Sequence, residues 1–444
     1  MMRDMTAGAP WKIILSFSVP LMAGNLLQQL YHTADTLIVG NLVGERALSA
    51  VGSCASLTEL FTALAIGFSI GAGVLAAQCC GAAQEERLRK YASTAICLMT
   101  GMGIAVSLTG LLAGEFILKN VLQVPEPMLG LAASYFRIYA LGLVFQFGYN
   151  IFAAILQAVG DSSSILYFLL LSSAVNILLD LLFVRIWGVA GAAAATGISQ
   201  LCACAAGGIY MNRKYRALRF QLRELSFAPC KAFDVLRVGM PMALQYSVIS
   251  VGILILQRLV NTYGQAMIAS FTVVVRLQGF LTIPIKGFQS TMTTYAGQNM
   301  GAGKKERIPA GLWQAVGMSL GITIALAAAV YSFMDPLVQG FGIDSAAAQI
   351  CVRHLRVMVP SILMYAAYFP MNGMFQGVGD GAHATACALL ALALRILFSY
   401  TLSTVEYWGY TAVWWSETYA WFIVLAVYYI YYFRGNWRNK ALIS

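Results

Sequence analysis

Two aspartates of this chain lie inside apolar stretches, where a carboxyl group has to be explained. Asp180 sits in SSAVNILLDLLFVR, Ser172 to Arg185, and Asp35 in LYHTADTLIVG. Asn176 precedes Asp180 by four residues, so a helix puts both on one face, a turn apart. A carboxylate at bilayer depth costs roughly 2.5–3.5 kcal/mol on insertion scales and faces a cavity or a partner. Counted from the ends of their apolar runs, Asp35, Asp180 and Thr196 share a depth of roughly 8–14 Å at 1.5 Å per residue. Two carboxylates, the Asn176 amide oxygen and the Thr196 hydroxyl at one level can hold Na⁺ through hard oxygen ligands. Alternatively the carboxyls share a proton, because like charges held close keep one of them neutral. Asn176 with Asp180 also reads as a structural pair between helices, and Thr196 as a hydroxyl bonded to its own helix. Glu59, in the second apolar run, is a candidate contact for a cationic substrate or a paired acid near a wall.

The elements that must position these groups are membrane spans. The chain has 444 residues, 59% hydrophobic and only 10% charged, against about 25% charged in soluble domains. Twelve spans are expected, at 12–40, 47–78, 92–117, 130–158, 163–186, 188–211, 232–262, 266–297, 309–333, 348–378, 383–404 and 409–433, each long enough to cross about 30 Å of hydrocarbon. Basic residues gather on one side of them. Arg87, Arg89 and Lys90, then Arg213, Lys214, Arg216, Arg219, Arg223 and Lys231, then Lys304, Lys305 and Arg307 join Arg3 and Lys12 at one terminus and Arg434, Arg438 and Lys440 at the other. The opposite loops hold Arg46, Lys119 and Arg185. The positive-inside rule then puts both termini in the cytoplasm and the protein in the inner, cytoplasmic membrane. The net charge of +10 belongs to these loops, and no nucleic-acid partner is expected. The nine cysteines show no CxxC pair and read as small apolar fillers. The first apolar run continues past Asp35, as a spanning helix does and a removable signal peptide does not.

The basic stretch Asn212 to Lys231 divides the chain into an N-lobe, 1–211, a linker, 212–231, and a C-lobe, 232–444. The halves repeat one another. LQAVGD at Leu156 to Asp161 returns as FQGVGD at Phe375 to Asp380, 219 positions on, and Arg137 returns as Arg356 at the same offset. Gln78 and Gly81 match Gln298 and Gly301 at 220, while Pro20 matches Pro241, and Trp187-Gly188 matches Trp408-Gly409, at 221. Six spans per half is an even number, so both halves share one orientation, related by an axis along the membrane normal, with a substrate cavity between two lobes. The fold class expected is therefore an all-α integral membrane protein of twelve helices in two six-helix lobes. At the repeat positions of Asp35, Asn176 and Asp180 stand Leu256, Arg395 and Ser399. Ion coupling is expected in the first half alone. The charges inside second-half spans are mostly basic, Arg258, Arg276, Lys286 and Arg395, against Glu417. They either contact anionic substrates or snorkel and pair.

Over nearly its full length the chain resembles the multidrug and toxic compound extrusion (MATE) family. The likeness rests on six plus six spans, a proline in span one, DTLIVGNLVGERALSAVG after it, and QxVGD after spans four and ten. In prokaryotic members an aspartate fifteen residues past that proline, an Asn-xxx-Asp in span five and a threonine in span six couple export to Na⁺ or H⁺. The resemblance assigns these places to Asp35, Asn176 and Asp180, and Thr196. It further implies that Tyr31, Tyr135 and Asn150 lie close by, on spans one and four. Acidic cation sites that some members carry in spans seven and eight are missing here.

The function expected is a cation-coupled antiporter, acting as a monomer, that exports amphipathic organic compounds with no cofactor beyond the coupling ion, H⁺ or Na⁺. A lipid-linked precursor flippase of the same superfamily is the alternative. An embedded enzyme is not expected: His32, His354 and His383 have no metal-ligand spacing and no nucleophile–base pair stands out.

Overall fold

The computed structural model describes residues 4–219 and 227–443. Arg3 and Arg223 lie outside the described residues, as does the side chain of Arg46. Long helices follow one another from end to end: α1 Pro10–Val43, α2 Glu45–Gly81, α3 Glu85–Phe116, α4 Glu126–Ala158, α5 Ser162–Trp187, α6 Val189–Lys214 and α7 Pro229–Asn261. The second half continues with α8 Gln265–Leu281, α9 Ile283–Gly301, α10 Arg307–Ser332, α11 Met334–Gln339, α12 Ser345–Val378, α13 Gly381–Ser403 and α14 Ala412–Arg434. Hydrocarbon offers the backbone no hydrogen-bond partner, so a chain this apolar satisfies its own amides helix by helix.

Ten of these helices are long and apolar enough to cross a membrane, and α8 with α9 makes an eleventh. The twelfth expected span corresponds to α14, whose 23 residues are long enough to cross but less apolar, being rich in tryptophan and tyrosine. The twelve expected spans are thus present, with one difference. The run 266–297 is not one helix but two, bent by 44°. Pro284 sits in the first turn of α9, where it has no amide hydrogen to continue the ladder from α8. Pro20 and Pro241, by contrast, lie inside α1 and α7, which run through them. Large apolar side chains such as Leu112, Leu178, Phe422 and Phe433 stay on the outside, as lipid-facing positions do.

The helices form two compact units. The first holds Ala23–Ser247 with Asp4 and Ile443; the second holds Met5–Met22 with Val248–Leu442. The division therefore does not fall within the 212–231 connection. It falls inside α1, two residues past Pro20, and inside α7, past Pro241. In the first unit α2 and the early part of α7 meet backbone to backbone: a Cβ on Gly71 would stand 2.4 Å from the Gly239 Cα. Each unit also fastens one end of the chain. The backbone N–H of Met5 donates to Gln298 Oε1 at 2.9 Å in the second unit. That of Ile443 donates to the repeat-related Gln78 Oε1 at 3.3 Å in the first.

Candidate ion and substrate site

Asp35 and Tyr31 occupy one face of α1, one turn apart, and Asn176 and Asp180 one face of α5. A Cβ on Gly24 of α1 would stand 2.8 Å from a Leu169 methyl of α5, so the two helices pack closely. The carboxyls of Asp35 and Asp180 are neighbours close enough to hydrogen bond if one is protonated. Asn176 and Asp180 are buried completely. Both Asp180 oxygens, both ends of the Asn176 carboxamide and Asp35 Oδ1 are buried without a hydrogen-bond partner among the described residues. A buried polar atom left unpaired is costly, and a buried unpaired charge far more so. Four of these five atoms are oxygens on two facing helices and form a ligand set for a positive charge, while the fifth, Asn176 Nδ2, can only donate a hydrogen bond. A proton shared between the carboxyls fits it, and so does a hard monovalent cation held by carboxylate and amide oxygens.

Thr196 sits on α6, which packs against α5. Its carbonyl accepts from Ser199 Oγ at 2.8 Å, and its hydroxyl donates to neither Asp180 oxygen. Tyr31 and Tyr135 both stand within electrostatic range of Asp35, and Tyr135 also of Asp180. From Tyr135 a polar stripe runs along one face of α4. Tyr135 stacks on Tyr139 with ring centroids 6.1 Å apart. The Tyr139 hydroxyl donates to Gln146 Oε1 at 3.2 Å, and Gln146 Nε2 donates to Thr62 Oγ1 of α2 at 2.9 Å. Asn150 donates to the Gln146 carbonyl at 2.8 Å. Glu59 is exposed on α2 within electrostatic range of Tyr139. Asn150 and Glu59 thus connect to the carboxyl pair through Tyr139 and Gln146. Those two were not singled out in the sequence, although Tyr139 follows Tyr135 by one helical turn and Gln146 precedes Asn150 by one.

The repeated QxVGD aspartates lie outside the spans and build structural clasps. Asp161, N-cap of α5, accepts from the Ser164 amide at 3.2 Å, Tyr215 at 2.7 Å, Tyr210 at 2.9 Å and Lys214 at 3.0 Å. Burial alone would raise its pKa, but these donors hold it down to about 2. Asp380 accepts from Tyr431 at 2.5 Å and faces Lys440 at 3.8 Å.

In the second half Arg395 pairs with Glu417, Nη2 to Oε2 at 2.7 Å. Arg258, Arg276 and Lys286 are exposed and have no ion-pair partner among the described residues. Leu256, at the repeat position of Asp35, is buried and apolar.

The MatE family model matches residues 20–182 and 241–401, once in each half. The probable multidrug resistance protein YpnP of Bacillus subtilis is 27% identical over 450 residues, covering 99% of both chains. The multidrug export protein MepA of Staphylococcus aureus is 26% identical over 412 residues, 91% of this chain and 90% of its own. Among solved structures, the outward-facing conformation of a multidrug resistance MATE family transporter of the MOP superfamily superposes with a TM-score of 0.92. It shares 25% identity, and 98% of each chain is covered. The chain belongs to the MatE family, the multidrug and toxic compound extrusion transporters, and is a multi-pass membrane protein of that family.

Proposed function

We propose that this transporter is a cation-coupled antiporter that exports amphipathic organic compounds, with Asp35 and Asp180 as the groups that bind the coupling ion, H⁺ or Na⁺. The observation that carries the reading is the facing carboxyl pair whose buried oxygens lack donors. Binding a proton or Na⁺ there neutralises a charge that the apolar surroundings oppose, so the ion binds most tightly where the pair is most enclosed. Unequal binding to two conformations is what lets a gradient drive a transport cycle. Asp35 rides on α1, which passes from one compact unit to the other just beyond Pro20. Proline weakens a helix locally, so α1 can change its course there when the pair gains or loses its ion. Asn176 supplies an amide oxygen one turn from Asp180, and Tyr31 and Tyr135 line the approach. The stripe from Tyr139 to Asn150, with Glu59 near its outer end, suits an amphipathic organic cation: aromatic faces for its apolar body and an acid for its charge. The basic loops favour a cytoplasmic position for both termini, in the cytoplasmic membrane.

The test is efflux of a fluorescent organic cation from proteoliposomes under an imposed Na⁺ or pH gradient. Wild type should export under one of the two gradients, and Asp35→Asn and Asp180→Asn should not. Full gradient-driven efflux in Asp35→Asn sinks the coupling role. A requirement for lipid-linked phosphate with no gradient dependence points instead to a flippase.

A further inference from the structure

We propose that the second half contains a monovalent-cation site that is permanently filled by the chain's own cation, the Arg395 guanidinium. The carboxylate of that site is Glu417 on α14. It receives Arg395 Nη2 on Oε2 at 2.7 Å and Gln278 Nε2 on Oε1 at 2.8 Å. The Tyr365 hydroxyl donates to the same Oε1, and Gln278 Nε2 also lies 3.2 Å from that hydroxyl. The side chains of Arg395 and Glu417 are 19% and 7% exposed, so this is a charge pair withdrawn from solvent. Arg395 Nε is buried without a partner among the described residues, so the guanidinium is held from one side, by the carboxylate.

The internal repeat carries the assignment from an ion pair to a filled site. At 219 positions Arg395 falls on Asn176, Ser399 on Asp180, His354 on Tyr135 and Tyr365 on Gln146. At 221, the offset of the Trp-Gly pair on the same loop, Glu417 falls on Thr196. The position that holds the unpartnered Asn176 amide in the first half holds a base in the second, and the acid that base meets stands at the position of Thr196. The place of Asp180 is closed by Ser399 and Ser416, whose hydroxyls lie 2.6 Å apart. The place of Tyr135 is held by His354, stacked on Trp414 at 4.8 Å and within electrostatic range of Arg395. A fixed guanidinium cannot be exchanged, so this site stays neutral throughout the cycle and the exchangeable ion belongs to the first half. That last consequence rests on the function proposed above. The filled site itself does not.

Chemical rescue tests it. Removing Arg395 leaves Glu417 buried and uncompensated beside a space of guanidinium shape. Purified Arg395→Ala should melt about 5–10 °C below wild type. Millimolar guanidinium chloride, far below denaturing levels, should restore half of that loss or more, and choline chloride none of it. Arg395→Ala/Glu417→Gln, which has no carboxylate to satisfy, should respond to neither salt. The proposal is overturned if guanidinium rescues nothing, or rescues the double variant equally. Should Arg395→Ala not survive purification, Arg395→Gln with and without Glu417→Gln gives the same comparison. Efflux by Asp35→Asn bears only on the first half, so failure of one reading leaves the other standing.

Discussion

The hydroxyl of Tyr215, just past the end of α6, donates to Asp161 Oδ2 at 2.7 Å, at the corner where α4 turns into α5. With Tyr210 and Lys214 on the same oxygen, this bond fixes the start of the helix that carries Asn176 and Asp180. The clasp thereby sets the register of the site from its far end.

Asp161→Asn should therefore destabilise the fold, by roughly 2 kcal/mol for a pKa displaced from 3.8 to about 2. The sign fixes the pH window. A folded-state pKa below the ordinary one stabilises above about pH 4, and that contribution fades as pH falls toward 2. Thermal melts should show wild type and Asp161→Asn well apart near neutrality and converging in acid. A gap that widens in acid would contradict the assignment.

Asp180→Asn should separate function from stability. No other side chain donates to the Asp180 oxygens among the described residues, and an asparagine amide can still donate to the neighbouring Asp35, so the substitution removes a buried charge and keeps that contact. We expect a melting temperature equal to wild type or higher, with gradient-driven efflux reduced by at least about tenfold, the equivalent of roughly 1.4 kcal/mol in coupling. Melting curves and proteoliposome efflux on one preparation check both halves of the statement.

Gln146 joins Thr62, Tyr139 and the Asn150 carboxamide. Gln146→Ala unties the Thr62 and Tyr139 bonds and leaves the Asn150 bond, which goes to the main-chain carbonyl, at a cost of about 1–3 kcal/mol where a buried group loses its partner. Because the carboxyl pair is untouched, the gradient dependence should persist while the apparent KM for an organic cation rises several-fold. Loss of gradient dependence in Gln146→Ala would place it in the ion site instead.

Gly71→Ala probes the contact of α2 with α7. Its new methyl would stand 2.4 Å from Gly239 Cα, a backbone atom that no rotamer change can move aside. Overpacking of this kind costs about 1–3 kcal/mol, so folded yield and melting temperature should fall. Gly101→Ala, whose Cβ meets nothing within 4 Å, should be silent in the same measurement.

Much of this was legible in the sequence because membranes make charge conspicuous. Asp35, Asn176 and Asp180 stood out as polar groups in apolar runs, and the spans followed from length and composition. Tyr139 and Gln146 were less visible: neither is charged, and only the face they share with Tyr135 and Asn150 gives them meaning. The break at Thr282 was passed over because the apolar pattern runs unbroken from α8 into α9, and Pro284 inside a span does not by itself distinguish a bend from the continuous helices around Pro20 and Pro241. Thr196 was singled out by depth alone, and depth does not fix the direction of a hydroxyl. The pairing of Arg395 with Glu417 was one of two readings, and distance alone decides between them.

The helices α1 and α7 each serve both compact units, and this has a consequence for how the chain is made. Ribosomal synthesis delivers spans in order, yet the helical body of the first unit ends only at Ser247, well into the seventh span. The leading eighteen residues of the second unit, Met5–Met22, are made before nearly all of the first and wait for the rest of their own unit, Val248–Leu442. A chain severed within 212–231 therefore yields two fragments that each lack a piece of a compact unit carried by the other.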